Sequence, residues 1–283
     1  MGSGLALTIN HNNNVPPPYL THYTDLTGFM GIVGTGQFWA SNVSFLNDRQ
    51  ELLYGLESAL QAAQTLAKKE TYAHWRRALE AAVEALKGAA LPNTYAACFC
   101  GEEDALSQWR GYGGQTQGIA LVFAQDDLTE IFFEAKAELY KVTYGNLATS
   151  AAVKEQMRAT LDELDAFDHL LGSVDDAAME THAIKAISKL LPRFKHRGFK
   201  DEREYRYVIQ HQTVRSDVCF RVSRNVLAPY LKMPVAGQNL PLRRVTVGPG
   251  HDQALTRQSV QIYLRHKGYE NVEVRLSDVP FRT

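Results

Sequence analysis

Residues 19–41 read YLTHYTDLTGFMGIVGTGQFWAS, and they predict three consecutive elements that set the architecture of the chain. Residues 19–24 have the aromatic and β-branched content of a strand. Asp25 is a candidate N-cap, and apolar residues then recur at helical spacing over 26–33, before two glycines. Residues 37–41 return to a strand pattern, so the stretch predicts a strand–helix–strand unit.

The rest of the chain continues with strands and helices in blocks. The spacing of apolar residues predicts further helices over about 53–67, 75–86, 149–172 and 176–191. Buried strands are predicted at residues 95–100 and 118–123, and further strands at 139–144, 205–209, 218–222, 244–247 and 272–274. Because the order shows no regular βαβ alternation, the sequence predicts an α+β fold.

The predicted organisation is one domain preceded by a leader. Residues 1–18 end in three consecutive prolines and are expected to form a flexible N-terminal leader. Residues 19–283 contain no linker signal and no internal repeat. We therefore expect a single α+β domain with helical insertions at about 48–90 and 149–191.

The composition is typical of an ordinary globular protein, with 45% hydrophobic residues. The 283 residues carry 30 Lys and Arg against 31 Asp and Glu, which argues against binding nucleic acid through the overall field. No apolar run approaches the roughly 20 residues that span a bilayer, so no membrane partner is expected. Cys98, Cys100 and Cys219 form an odd set typical of reduced thiols, and they favour a cytoplasmic location.

His22 and a nearby polar cluster are the first candidates for chemistry. His22 lies in the first predicted strand, where it is either a satisfied structural residue or a ligand-binding group. Asn47 and Asp48, with Glu51, form a second polar cluster. Because Asn and Asp bond local backbone groups, a capping or turn role is the alternative to chemistry there.

The charged run 195–206 is the next candidate. The strand period of two predicts that Glu202, Glu204 and Arg206 share one face of a strand. That face is either a solvated charged edge or a site where a carboxylate acts on a sugar or a phosphate ester. An overlapping basic run from Lys189 to Arg203 carries Phe194 and Phe199 between its charges, which suits either a nucleic-acid strand or a helix end that leads into a surface loop.

Several familiar kinds of site are not indicated. The sequence contains no zinc-binding helix motif, no spaced cysteine pairs and no calcium loop, so no metal cofactor is predicted. The glycines of residues 111–114 lack the lysine of a phosphate-binding loop and the strand–helix context of a dinucleotide fingerprint. A nuclease is disfavoured because no carboxylate cluster has metal-binding spacing.

The motifs together resemble a widespread bacterial family of unknown function. The residues that carry the resemblance run in order from Tyr19 to Arg282. They are Tyr19-Leu20-Thr21-His22-Tyr23-Thr24, Phe38-Trp39-Ala40-Ser41, Phe45-Leu46-Asn47-Asp48 with Glu51, Cys98-Phe99-Cys100, Ser107-Gln108-Trp109-Arg110-Gly111-Tyr112, residues 118–123, Glu202-Arg203-Glu204-Tyr205-Arg206, residues 247–250 and residues 277–282.

The first strand, the Trp-Ala-Ser strand and the late Glu-x-Glu strand are also similar to the ADP-ribosyltransferase fold. This second resemblance implies a split β-sheet core with helical insertions and NAD as the substrate. His22 would hold the ribose and amide of NAD, Ser41 or Tyr112 would shape the nicotinamide pocket, and Glu204 or Glu202 would drive the transfer.

The same resemblance implies a wider set of residues around NAD. The expected catalytic residues are Glu204, Glu202 and His22, and the expected NAD-binding residues are His22, Tyr23, Thr24, Trp39, Ser41, Asn47, Ser107, Trp109, Arg110, Tyr112 and Arg206. Tyr23, Trp39 or Tyr112 would stack on nicotinamide, and Arg110 or Arg206 would meet the pyrophosphate.

The implied activity is cleavage of NAD at the nicotinamide–ribose bond and transfer of ADP-ribose to a protein or nucleic-acid acceptor. Such an enzyme would suit a bacterial toxin or defence effector, with a neutralising antitoxin or immunity protein as a partner. Two alternatives stay open. One is an NAD glycohydrolase, in which water replaces the acceptor, and the other is a non-enzymatic nucleotide-binding or interaction module.

Overall fold

The computed structural model describes residues 16–45, 49–88, 93–112, 117–145, 151–171, 175–211, 216–223, 225–233 and 239–280. Most of the predicted leader, residues 1–15, lies outside these ranges. The polar run Leu46-Asn47-Asp48 also lies outside them. Among the helices of the described ranges, none offers the length of apolar surface that a bilayer crossing requires.

Strands and helices alternate irregularly along the chain. The strands are β1 Tyr19–Asp25, β2 Phe38–Asn42, β3 Asn93–Cys100, β4 Gly118–Ala124, β5 Glu138–Lys141, β6 Thr143–Gly145, β7 Phe194–His196, β8 Glu204–His211, β9 Cys219–Ser223, β10 Val226–Met233, β11 Leu242–Val247 and β12 Glu273–Leu276. The helices are α1 Leu26–Thr35, α2 Arg49–Ala67, α3 Arg76–Gly88, α4 Leu106–Tyr112, α5 Gln125–Glu134, α6 Ala151–Leu171, α7 Asp176–Leu190 and α8 Gln253–His266. The predicted α+β class is confirmed.

The predicted strand–helix–strand unit is β1–α1–β2. The carboxylate of Asp25 accepts a hydrogen bond of 2.7 Å from the N–H of Gly28 and caps the helix. Gly36 ends the helix with a left-handed φ of 67°, and its N–H donates to the carbonyl of Ile32. Glycine adopts this φ without steric strain, so the chain can turn sharply into β2.

Over the described residues, the main sheet has ten strands and forks at β3. Its path runs β12-β11-β4-β1-β3-β2-β10-β9, while β8 pairs with β3 and β5 pairs with β8. Strand β8 pairs with β3 along its whole length, so β1 and β2 must share the other edge of β3. Thr21 of β1 pairs with Cys100, and Ser41 of β2 pairs with Ala96. The fork therefore opens beside Cys98.

Helices cover both faces of the sheet. One face carries an aromatic core beneath α1, α5 and α8, formed around Phe29, Phe38, Phe99, Phe123, Phe132 and Tyr207. The opposite face is covered around Ala96 and Val208 by the helical layer of α2, α3, α6 and α7. On that same face, Trp109 of α4 packs over Tyr23 and Ala120.

One predicted strand differs in the structure. The stretch 139–144 is divided at Val142 into β5 and β6, because its two parts pair with different partner strands. Strand β5 joins the main sheet, whereas β6 pairs with β7 in a separate two-stranded sheet. The short strand β7 was missed because charged residues hide its pattern in the sequence.

Close packing between α2 and the 3₁₀ segment Leu191–Arg193 gives a test of the helical layer. A Cβ added at Gly55 would lie 2.6 Å from the carbonyl oxygen of Leu191, which is backbone. We expect Gly55→Ala to lower the free energy of unfolding by about 1–3 kcal/mol, measured by urea denaturation. Gly111→Ala is the matched control, because a Cβ there meets nothing within 4 Å. Its expected effect is neutral or a gain of up to about 1 kcal/mol, and equal losses in the two variants would contradict the packing.

Candidate functional site

His22 occupies the fork in the sheet. Its Nδ1 lies 2.8 Å from the carbonyl oxygen of Cys98, which stands between the residues of β3 that pair with β1 and with β2. The imidazole packs at 5.6 Å against the rings of Phe38 and Phe99. Burial lowers the pKa of His22, and the positive charge of Arg221 lowers it further, so the ring is neutral at pH 7.

Glu204 starts β8 in a buried ion network. Arg206 grips its carboxylate with two hydrogen bonds, from Nε at 2.6 Å and from Nη2 at 2.8 Å. Lys195 Nζ donates to the same carboxylate at 3.2 Å. Burial raises the pKa of Glu204, but Arg206, Lys195 and the Cys98 thiol together outweigh it and lower the pKa to about 2.

Glu202 is not on the strand, which corrects the predicted face of Glu202, Glu204 and Arg206. It ends the 3₁₀ segment Arg197–Glu202, and Arg203 follows with a left-handed φ of 44°. The turn still brings Glu202 to the network, where Lys195 Nζ donates to it at 2.5 Å. Lys195 therefore bridges two carboxylates that differ in exposure. The Glu202 side chain is 29% exposed, and that of Glu204 is 8% exposed.

Helix α4 holds the turn that carries Glu202. Ser107 Oγ donates to the carbonyl of Asp201 at 2.9 Å, and Gln108 Nε2 donates to the carbonyl of Glu202 at 3.3 Å. The N–H of Glu204 donates to the Tyr144 hydroxyl at 2.8 Å. Ser107, predicted to bind NAD, thus supports the carboxylates through the backbone.

His22 and Glu204 do not share a face of the sheet. Glu204 pairs directly with Cys100, which pairs with Thr21, so these three side chains lie on one face. His22 contacts Phe99 on the other face. Both predicted catalytic residues nevertheless touch Cys98, His22 through its carbonyl and Glu204 through its thiol. The site is therefore divided by one strand and is not a single cluster.

Tyr23 and Trp109 are core residues, which corrects their predicted NAD-binding roles. Tyr23 is 4% exposed, and its hydroxyl donates to the Glu102 carbonyl at 3.0 Å and accepts from the N–H of Ala105 at 2.9 Å. Trp109 is 1% exposed, packs edge-on against Tyr23 and donates from Nε1 to Asp104. Neither ring has an open face for nicotinamide.

The remaining predicted residues are dispersed. Thr24 packs its hydroxyl against Gly28 at the start of α1, and Arg110 is exposed on the last turn of α4. Arg206 is held by Glu204 and by the Pro192 carbonyl, so it does not present its guanidinium to a pyrophosphate. Asn47 and the side chain of Tyr112 lie outside the described part of the chain.

The residues of the basic run are only partly on the surface. Phe194 and Lys195 are buried, at 2% and 7% exposed, and Lys195 lies over the ring of Phe199. Buried rings and cations cannot stack with nucleic-acid bases. The nucleic-acid interpretation of this run therefore fails at Phe194 and Lys195.

Trp39 and Ser41 of β2 join a residue that sequence reasoning missed. Arg221 Nη2 donates to Ser41 Oγ at 2.8 Å, and its guanidinium lies 5.5 Å from the Trp39 ring and 5.8 Å from the Tyr230 ring. Arg221 is 180 positions from Ser41 along the chain, and β10 brings the two together. No local pattern around Arg221 could have indicated this contact.

An open groove of about 590 Å³ lies along α5, away from these residues. Asp126, Thr129, Glu130, Phe133 and Glu134 line it. Within the described ranges, no group of three or more His, Cys, Asp or Glu side chains is arranged to hold a metal ion. The polar groups around Cys98 therefore form the candidate site on chemical grounds.

Residues 108–207 match the model of a family described as "Protein of unknown function (DUF2971)". The predicted resemblance to a family of unknown function is confirmed over this range, which includes Lys195, Glu202, Glu204 and Arg206. No curated protein and no solved structure matches the chain. The resemblance to the ADP-ribosyltransferase fold stays a prediction.

The buried network predicts a pH-dependent stability. Because the pKa of Glu204, about 2, lies below its ordinary value of 4.5, its stabilisation is complete above pH 4.5 and is lost as the pH falls toward 2. Glu204→Gln leaves Arg206 and Lys195 without this partner, so we expect it to lower the free energy of unfolding at pH 7 by about 3–5 kcal/mol. Urea denaturation from pH 7 to pH 2.5 measures both effects.

The difference in the free energy of unfolding between wild type and Glu204→Gln should become smaller as the pH falls. Glu155→Gln is the control, because Glu155 pairs with Arg158 on an exposed face of α6. We expect it to change stability by less than about 0.5 kcal/mol. A Glu204→Gln protein as stable as wild type at pH 7 would contradict the network.

Proposed function

We propose that this protein cleaves the nicotinamide–ribose bond of NAD and transfers ADP-ribose to a protein or nucleic-acid acceptor. The observation that carries the proposal is the forked sheet, in which His22 and the Glu204 network contact Cys98 from its two sides. A divided sheet, with a histidine on its first strand and carboxylates on a late strand, is what the resemblance to ADP-ribosyltransferases implies.

His22 is suited to hold a neutral polar group of the substrate. Its Nδ1 faces the Cys98 carbonyl at 2.8 Å, and a carbonyl oxygen can only accept, so Nδ1 carries the proton. In a neutral imidazole, Nε2 then carries a lone pair. We assign Nε2 to accept a hydrogen bond from a ribose hydroxyl or from the carboxamide N–H of NAD.

Glu202 is the carboxylate that we assign to the reacting ribose. Its side chain is more exposed than that of Glu204, whose oxygens are taken by Arg206 and Lys195. Glycosidic cleavage passes through an oxocarbenium-like state, which a nearby carboxylate stabilises. Glu204 acts as a positioning residue, because Lys195 binds both carboxylates and fixes Glu202.

The transfer step balances without a further reactant. The bond between the ribose carbon and the nicotinamide nitrogen breaks, and its electron pair neutralises the pyridinium ring. A lone pair of the acceptor forms the new bond to the ribose carbon. The proton of the acceptor passes to Glu202, which acts as the general base.

Glu202→Gln keeps the shape of the side chain and removes its charge. We expect it to lower the rate of nicotinamide release from NAD by about 10²–10⁴-fold, with a thermal midpoint close to that of wild type. Chromatography of nicotinamide measures release, and labelled ADP-ribose retained on macromolecules of a cell lysate separates transfer from hydrolysis. Glu155→Gln, on the exposed face of α6, should react like wild type.

Three outcomes bear on the proposal. Release without retained label supports a glycohydrolase and overturns the transfer step. Equal release by wild type and by a folded Glu202→Gln protein overturns the role of Glu202. If wild type releases no nicotinamide, the proposed enzymatic activity is wrong, and a non-enzymatic binding module is the better interpretation.

A further inference from the structure

Arg221 is a partly buried cation that has no anionic partner among the residues that the structure describes. The side chain extends from β9, and among the described residues no carboxylate lies within 4.0 Å of the guanidinium. Its hydrogen bond is to the neutral hydroxyl of Ser41. Burying a charge costs free energy unless an opposite charge or several hydrogen bonds offset it. Binding of an anion would therefore stabilise the guanidinium.

The neighbours of Arg221 hold it in one orientation. The rings of Trp39 and Tyr230 lie 5.1 Å apart, and the guanidinium is within 6 Å of both. Ser41, 5% exposed, accepts from Nη2 at 2.8 Å. A planar guanidinium with so little freedom loses little entropy when it binds a ligand.

A second donor lies beside the guanidinium. The Trp39 Nε1 atom is buried and has no hydrogen-bond partner among the residues that the structure describes. A buried N–H without a partner costs about 1–3 kcal/mol, and an acceptor oxygen of a ligand would recover it. The Arg221 guanidinium lies 5.5 Å from the centre of the Trp39 ring, so one anion with several oxygens could accept from both donors.

We propose that Arg221, held by Ser41 and braced by Trp39 and Tyr230, forms an anion site that takes a phosphate or pyrophosphate ester. Guanidinium groups bind phosphate oxygens through two parallel hydrogen bonds, which matches the ligand to the donor set. Ser41, which holds Arg221, lies on β2, and β2 shares one edge of β3 with β1, the strand of His22, so the anion site lies beside the fork.

The proposal deepens the proposed function, on which the identity of the ligand rests: the anion would be the pyrophosphate of NAD. Arg206, predicted for this task, is bound to Glu204 and to the Pro192 carbonyl. Arg221 instead faces Ser41 on β2, the strand beside the fork. The anion site and the Nε2 atom of His22, which accepts a hydrogen bond, would then hold two parts of one extended ligand.

Calorimetric titration at low salt tests the site with three probes: inorganic pyrophosphate, ADP-ribose and NAD. We expect Arg221→Gln to weaken the binding of ADP-ribose at least about 10-fold, as loss of a charge-assisted pair requires. Arg221→Lys should weaken it less, because the charge stays but the planar fork is lost. Ser41→Ala removes the hydrogen bond that holds the guanidinium. Its affinity for ADP-ribose should lie between those of wild type and Arg221→Gln.

Arg243→Gln is the matched control. Arg243 is 56% exposed and donates to Asp127 at 2.6 Å, so its charge is already paired. We expect its ADP-ribose affinity to equal that of wild type. Thermal melting without ligand checks that each variant is folded, and Arg221→Lys keeps the test decisive if Arg221→Gln does not fold.

The outcomes separate the site from the activity. Unchanged ADP-ribose affinity in a folded Arg221 variant, or no binding of any probe to wild type, overturns the site. Binding that depends on Arg221 without nicotinamide release supports the site and overturns the enzyme. Nicotinamide release whose KM is unaffected by Arg221→Gln supports the enzyme and overturns the site. Equal affinity for pyrophosphate and ADP-ribose would assign the site to the phosphates alone.

Discussion

A strand has only two edges, and β8 fills one edge of β3 along its full length. Strands β1 and β2 must therefore divide the other edge, and they leave the Cys98 carbonyl between them. An unpaired carbonyl in the interior is costly. The imidazole of His22 satisfies it in place of a strand. One half-sheet thus brings His22 to the fork, and the other brings Ser41 and the arginine that binds it.

The charged groups of the candidate site are of two kinds: a buried network of ion pairs, and Arg221, whose hydrogen-bond partner is neutral. Two carboxylates, Glu202 and Glu204, balance the two cations Lys195 and Arg206, so each charge has a partner where desolvation would otherwise destabilise it. This network fixes the turn that carries the more exposed Glu202. Arg221 lies on the other side of the fork with a neutral hydroxyl as its partner. We therefore propose that ligand chemistry centres on Glu202, His22 and Arg221, with Glu204 positioning Glu202.

The fold could be predicted from the sequence where one local pattern dominates. The β1–α1–β2 unit follows from the cap at Asp25 and the glycine at Gly36. The division of 139–144 into two strands could not be predicted, because it depends on pairing with β8 and β7, which lie far along the chain. Of the candidate site, the polar character of His22 and of the Glu-x-Glu run was visible in the sequence. The burial of Tyr23 in the core was not visible in the sequence, because the partners of its hydroxyl lie about 80 positions away along the chain.

The α+β class and the residue types available for chemistry can be inferred from the amino-acid sequence, because apolar period and side-chain type are local properties. Which of those residues meet depends on contacts between distant parts of the chain. Strand register puts Thr21, and not His22, on the face of Glu204, since a shift of one residue exchanges the two faces. The left-handed turn at Arg203 separates Glu202 from the strand. Pairing of β2, β10 and β9 joins Ser41 to Arg221, because contacts across strands follow register and not distance along the chain.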